Sequence, residues 1–143
     1  MDFEAIKARL QARVPALRLI EDALSLTALT ASQKLPLQSP AAYVVPAGVI
    51  GGKSEAMAGA FVQSVQDVTS IVLSVKPHNA TGAGKTESVG DLIRAVIEAL
   101  CGWSPAPGPG VYELRRCELQ SMQGGIAVWR IDLSINDQLR IAP

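Results

Sequence analysis

The chain has 143 residues, with thirteen Lys and Arg, thirteen Asp and Glu and one His, so its formal net charge is zero. This length is typical of one domain, and a neutral chain lacks the basic excess of proteins that bind nucleic acid mainly through phosphate contacts. Charged residues, Gly or Pro interrupt every apolar run before the roughly 18 residues that a membrane-spanning helix needs. Acidic residues follow Met1 where a secretory signal carries basic ones, so we expect no membrane partner and synthesis in the cytoplasm.

Apolar residues are unusually abundant for a domain of this size. They make up 48% of the chain against 18% charged residues, which is more than a freely solvated surface usually carries. Between Pro36 and Gly90 there are only six charged residues: Lys53, Glu55, Asp67, Lys76, Lys85 and Glu87. This distribution predicts that a partner covers much of the middle of the chain. A misfolding-prone or partly disordered segment is the alternative.

The first third of the chain predicts two helices and a strand. Apolar residues at every third or fourth position predict a first helix, which Pro15 ends. A short extended piece follows at 17–20, and Asp22 is placed to cap a weaker helix that runs through Thr30. Alanine, tyrosine and valine then predict a buried strand over 41–45, closed by the Pro and Gly that follow it.

The middle of the chain changes from a flexible composition to a strand. Small residues dominate 48–60 and predict a flexible loop or arm. From Phe61 to Val75 the composition favours a strand, whose second half alternates apolar residues with Ser70 and Ser74. This alternation predicts one buried face and one polar face.

The last third predicts one strong helix and a hairpin. The helix begins near Ser88, and Gly102 is its C-cap. Strands over 111–119 and 126–135 flank a Gln-Gly-Gly turn at 123–125 that favours antiparallel pairing. The predicted fold is therefore α+β, a mostly antiparallel sheet with two to three helices packed on one side, in a single domain over 1–143.

A glycine-rich segment at 79–86 follows a strand and precedes a helix, as a phosphate-binding loop does. However, Asn79 stands where the motif needs its first Gly, and the predicted helix begins three residues after Lys85. No later strand ends in an acidic residue preceded by four apolar ones. Nucleotide binding is therefore the weaker alternative, and an exposed loop is the favoured interpretation.

Other catalytic or metal-binding chemistry lacks support in the sequence. His78 is the single histidine, no serine lies in a Gly-x-Ser-x-Gly motif, and Cys101 and Cys117 match neither a metal pair nor a disulfide framework. We expect buried thiols, no enzyme activity, no metal and no cofactor. Trp103 and Trp129 are predicted to be structural anchors in the core or at an interface.

The order of these elements resembles a known family. The shared pieces are Val14-Pro15-Ala16-Leu17, Pro40 to Pro46, Val62 to Val65 leading into Ile71 to Val75, Leu92 to Leu100 running into Cys101-Gly102-Trp103-Ser104-Pro105, and Ala127-Val128-Trp129-Arg130-Ile131. Together they resemble the tail terminator proteins of long-tailed bacteriophages.

The resemblance implies an α/β sandwich that works in the virion as a ring of six copies. Such a ring caps the tail tube, stops its polymerisation and joins the tail to the head, so its partners are other copies, the tail tube protein and a head-completion or connector protein. Genome DNA passes through such a ring without sequence-specific recognition. Another phage head–tail adaptor is the alternative. The charge-poor middle supplies the candidate interface residues, Val49, Ile50, Met57 and Phe61.

Overall fold

The structure, a computed structural model, describes residues 2–32, 39–57, 59–76, 85–108 and 110–142. Within them lie three helices and five strands, in the order α1 (Phe3–Arg13), β1 (Leu19–Asp22), α2 (Ala23–Ser32), β2 (Ala41–Met57), β3 (Ala60–Val75), α3 (Lys85–Leu100), β4 (Glu113–Gln123) and β5 (Ile126–Ile141).

The five strands form one sheet in the order β1-β2-β3-β5-β4. The β1–β2 pair is parallel and the other three pairs are antiparallel, so the predicted α+β fold is confirmed. The central β3–β5 ladder runs without interruption, whereas the β2–β3 and β4–β5 ladders each contain two register shifts. The predicted Gly-Gly turn joins β4 to β5, with φ of +58° at Gly124 and +76° at Gly125.

The hydrophobic core lies between one face of the sheet and helices α1 and α3. Its members are buried apolar residues of both helices and of all strands except β4, and among the least exposed are Ile6, Leu10, Ile71, Leu73, Val96, Leu100, Ile131 and Leu133. We call this face of the sheet the helix side. Residues at every second position of a strand share a face, which is why Ile71 and Leu73 both point into the core.

Side chains and glycine fix the ends of the helices. Asp2 Oδ1 accepts a hydrogen bond of 3.0 Å from Ala5 N at the start of α1. Asp22 Oδ1 accepts one of 3.0 Å from Ser25 N, which confirms the predicted cap of α2. Gly102 ends α3 with φ of +78°, a left-handed conformation that favours glycine, so the predicted C-cap is also confirmed.

The Asp22 cap predicts a pH-dependent contribution to stability. The hydrogen bond from Ser25 N–H is the main effect on the pKa of Asp22 and lowers it below its ordinary value of 3.8. A carboxylate with a lowered pKa stabilises the folded state above its unfolded pKa, and this contribution disappears as the pH falls through the folded pKa. We therefore expect Asp22→Asn to lower the melting temperature near neutral pH, with the difference from the original protein shrinking in acid. Thermal melts of both proteins across the acidic range test this, and a difference that grows in acid would contradict it.

The segment over 48–60, predicted to be a flexible loop or arm, consists mainly of two paired strands. β2 continues through Pro46 and the glycines to Met57, and β3 begins at Ala60. The β2–β3 register shifts after Pro46 and again after Gly51. At each shift, residues of β2 stay unpaired, so the strand can include Pro and Gly, which a regular strand disfavours. Long-range pairing with β3 therefore outweighs the flexible local composition.

We call the part of the sheet that lies away from the helices the arm. It consists of residues 48–57 of β2, 60–68 of β3 and 135–141 of β5. No residue of the arm whose side chain is described is buried, whereas the buried strand residues lie outside it. The arm therefore extends beyond the helix layer. The alternation in β5 also continues past the predicted end at 135, which provides the third strand of the arm.

The predicted start of one helix was wrong. Helix α3 begins at Lys85, three residues before the predicted start near Ser88, which removes one of the sequence arguments against a phosphate-binding loop before it. Ser70 and Ser74 lie on the face that was predicted to be polar, and both are buried. Ser70 Oγ donates a hydrogen bond of 2.6 Å to Asp132 Oδ1, and this bond satisfies the buried hydroxyl.

Candidate functional site

The predicted interface residues lie in the arm. Val49, Ile50 and Phe61 are all exposed there. Met57 pairs with Ala60 at the tip of the hairpin, but its side chain lies outside the described residues. The three described side chains are thus available for contact, as an interface requires.

The strand register divides these residues between two faces. Val49 pairs with Asp67, which lies on the helix side because it is four residues from Ile71 along β3. Phe61 also lies on the helix side, six residues and about 20 Å further along the strand. Ile50 lies on the reverse face, opposite Gln66. The structure therefore does not bring the predicted residues into a single cluster.

Two residues of β5 complete an apolar surface on the helix side of the arm. Ile141 pairs directly with Phe61, and Leu139 pairs with Gln63, so all three apolar side chains share a face. Val49 lies on the same face, nearer to the helices. We call these four residues, Val49, Phe61, Leu139 and Ile141, the arm surface. Their exposed fractions lie between 39% and 65%, and no described helix covers them.

A second apolar surface lies on the edge strand β4. Leu114, Leu119 and Met122 are 43% to 68% exposed and pair with Leu133, Trp129 and Ala127 of β5. They therefore also face the helix side, and we call them the β4 surface. Half-buried Cys117 lies between them in the strand.

Sequence reasoning missed both Leu139 and Ile141 and the entire β4 surface. The alternation of apolar residues from Trp129 through Ile135 resumes at Leu139, and this pattern predicts the longer strand. No comparable signal marks the β4 residues, because an apolar residue in an edge strand is exposed or covered according to the extent of the helices above it.

Carboxylates accompany the arm surface. Asp67 and Asp137 lie on the helix side of the arm and form no ion pair within the described part of the chain. Asp67 also lines a pocket of about 320 Å³ together with Asp2 and Tyr112. Burial is the main cause of a raised pKa of Tyr112, and the charges of Asp67 and Asp2 add to it. The base of the arm is therefore acidic.

Two ion pairs lie on the reverse face. Arg130 Nε donates to Asp132 Oδ1 over 2.8 Å, and Arg116 Nη1 lies 3.3 Å from Glu118 Oε1 in β4. The Arg116–Glu118 pair runs along one strand. Within the described residues, Arg115 forms no ion pair, and it lies in the register shift beside Leu114.

Trp103, predicted to be a structural anchor, lies at the corner between α3 and β4. Its ring stacks on that of Tyr112 with centroids 6.3 Å apart, and the Arg9 guanidinium lies over it, 5.3 Å from the centroid. Arg9 Nε also donates a hydrogen bond of 2.8 Å to the carbonyl oxygen of Ala99. This corner joins α1, α3 and the start of β4.

Trp129 packs against the core on the helix side. Its indole Nε1 is buried and has no hydrogen-bond partner in the described part of the chain. An unsatisfied buried donor costs free energy because it loses its hydrogen bond to water.

We expect Trp129→Phe to change the free energy of unfolding by less than about 1 kcal/mol, since the lost apolar contact offsets removal of the unsatisfied donor. Urea denaturation followed by circular dichroism measures this change. A loss above about 2 kcal/mol would contradict this balance between the two effects.

The two thiols are free and only half buried, whereas buried ones were predicted. Burial is the main cause of a raised pKa at both Cys101 and Cys117, so their reactive thiolate forms are disfavoured.

Residues 79–84 of the glycine-rich segment, with His78, lie outside the described residues. In the described ranges, no group of three or more His, Cys, Asp or Glu side chains could hold a metal ion. None of the helices described above combines the length and apolar character needed to cross a membrane.

Comparison with known proteins places these surfaces in context. A sequence model of the phage tail terminator protein family matches residues 1–142. No curated protein matches the sequence. The matched range includes every helix and strand described above, together with the arm and the β4 surface, and it agrees with the resemblance drawn from the sequence.

Proposed function

Because the chain belongs to the phage tail terminator protein family, and is therefore a structural component of the virion tail, we propose that it ends growth of the tail tube. In this proposal six copies form a ring in the neck of the virion. One face of the ring caps the tube and the other offers the surface to which a head-completion or connector protein attaches. The chain is made in the host cytoplasm, needs no cofactor and catalyses no reaction.

The observation that carries this proposal is the division of exposed apolar side chains between the arm and β4. A ring of identical copies needs two different surfaces on each copy, because every subunit contacts one neighbour on each side. An isolated domain has no use for such surfaces and exposes them to aggregation. Their presence on a neutral chain supports assembly as the function.

The capping of tail tubes can be tested directly. We expect the purified chain, added to polymerising tail tube protein of the same phage, to shorten the tubes and to leave a ring at one end. Negative-stain electron microscopy gives the length distribution, and native mass spectrometry gives the number of copies in the ring. Tubes of unchanged length would contradict the proposal.

The Leu24→Ser variant is a matched control for this experiment. Leu24 is 76% exposed on α2 and lies outside the arm and β4 surfaces. The substitution removes an exposed leucine without touching either surface, so this variant should shorten tubes as the original protein does.

A further inference from the structure

We infer that the arm surface of one copy packs against the β4 surface of the next copy, in a head-to-tail contact. This inference rests on the proposed ring and names the two surfaces that build it. It adds β4 and the end of β5 to an interface that sequence reasoning placed only in the middle of the chain.

The positions of the two surfaces allow one copy to use both at once. β4 is the edge strand at one side of the sheet, and the arm is built from β2, β3 and the end of β5, beyond the last β4 pairing at Ser134. The surfaces do not overlap, so each subunit can offer its arm to one neighbour and its β4 surface to the other. This geometry is the requirement for a heterologous contact.

The composition of the two surfaces is complementary. Both expose large apolar side chains, and burying them against each other removes apolar area from water. Phe61 supplies an aromatic anchor on the arm, and Met122 supplies a flexible side chain that adapts to it on β4.

The carboxylates on the helix side of the arm favour contact between arm and β4 over contact between two arms. Asp67 and Asp137 lie on the helix side of the arm without an ion pair, and Arg115 lies beside the β4 surface without one, within the described residues. An arm meeting a second arm brings carboxylates together, and like charges across an interface are unfavourable. An arm meeting β4 brings carboxylates towards a free guanidinium.

Two double variants test this arrangement. The arm variant carries Phe61→Ser and Leu139→Ser, and the β4 variant carries Leu119→Ser and Met122→Ser. Each variant alone should lose ring formation and remain a monomer. An equimolar mixture should form pairs and nothing larger, because the arm variant keeps its β4 surface and the β4 variant keeps its arm, which leaves one functional contact per pair. Native mass spectrometry and analytical ultracentrifugation measure these masses.

The control is again Leu24→Ser, which should assemble as the original chain does. Circular dichroism and thermal melting establish that each double variant is folded, which we expect because the replaced side chains are exposed. Pairs formed by the β4 variant alone would show a symmetric contact between arms and overturn the inference. Rings formed by either variant alone, or a mixture without pairs, would also overturn it.

The outcome for the original chain separates this inference from the proposed function. A ring that fails to shorten tubes contradicts tube termination and leaves the contact between arm and β4 intact. A chain that stays monomeric at its highest soluble concentration, yet shortens tubes, overturns the contact and leaves tube termination intact.

Discussion

Replacing Ile131 with alanine should lower the free energy of unfolding by about 3 to 4 kcal/mol, the largest effect we expect from a single substitution. Ile131 is fully buried at the centre of the sheet, where β5 pairs with Ile71 of β3 on one side and Cys117 of β4 on the other. Removing its side chain leaves a cavity that the paired backbone cannot close. Urea denaturation measures the change.

The matched control for this substitution is Leu24→Ala, which removes a similar volume from an exposed position and should change stability by less than about 0.5 kcal/mol. Both variants must be compared with the original chain at one protein concentration, since assembly adds a concentration-dependent contribution to stability. Equal losses at Ile131 and Leu24 would contradict the core described above.

Replacing Trp103 with alanine should cost about 3 kcal/mol, at the lower end of the range for large aromatic residues because its ring is only half buried. The substitution removes the stack on Tyr112 and the contact with the Arg9 guanidinium. It also loosens the corner that positions the start of β4. We therefore expect weaker assembly in addition to the loss of stability.

A double-mutant cycle separates the contribution of Arg9 from that of the ring itself. Arg9→Ala alone should cost about 1 to 2 kcal/mol, through the lost bond to Ala99 O and the lost contact with Trp103. The double variant should lose less than the sum of the two single losses, because the contact between Arg9 and Trp103 can be lost only once. Additive losses would show that this contact contributes nothing measurable.

The elements that the sequence predicts correctly are those with a local signal. Helix α1 has regular apolar spacing, α2 has a capping aspartate, and the β4–β5 turn has two glycines. The start of α3 is mispredicted because its first residues, from Lys85, carry none of the apolar spacing that marks the rest of the helix.

The arm could not be predicted from local composition. Its β2 residues are rich in Gly and small side chains, and they are held in a strand by pairing with β3 rather than by their own preference. Val49 and Phe61 were predicted to be interface residues because they are apolar residues in a charge-poor segment. Strand register determines how far apart these two residues lie along the sheet. It also places Leu139 on the same face as Phe61. A single sequence does not define this register.

The register shifts in the β2–β3 and β4–β5 ladders bear on how the chain avoids uncontrolled association, because β4 is an edge strand and β2 has no partner among the described residues on its other side beyond the β1 pairing at Val44. β4 is interrupted after Leu114 and after Leu119, and β2 after Pro46 and after Gly51, whereas the inner β3–β5 ladder is regular. A long regular edge offers its backbone N–H and C=O groups to any other strand, and this pairing can continue without limit into fibres. An interrupted edge disfavours such backbone pairing. Association then depends on contacts between side chains, which fit one partner surface. The proposed role, ending the growth of a polymer, is consistent with edges that do not begin a polymer of their own.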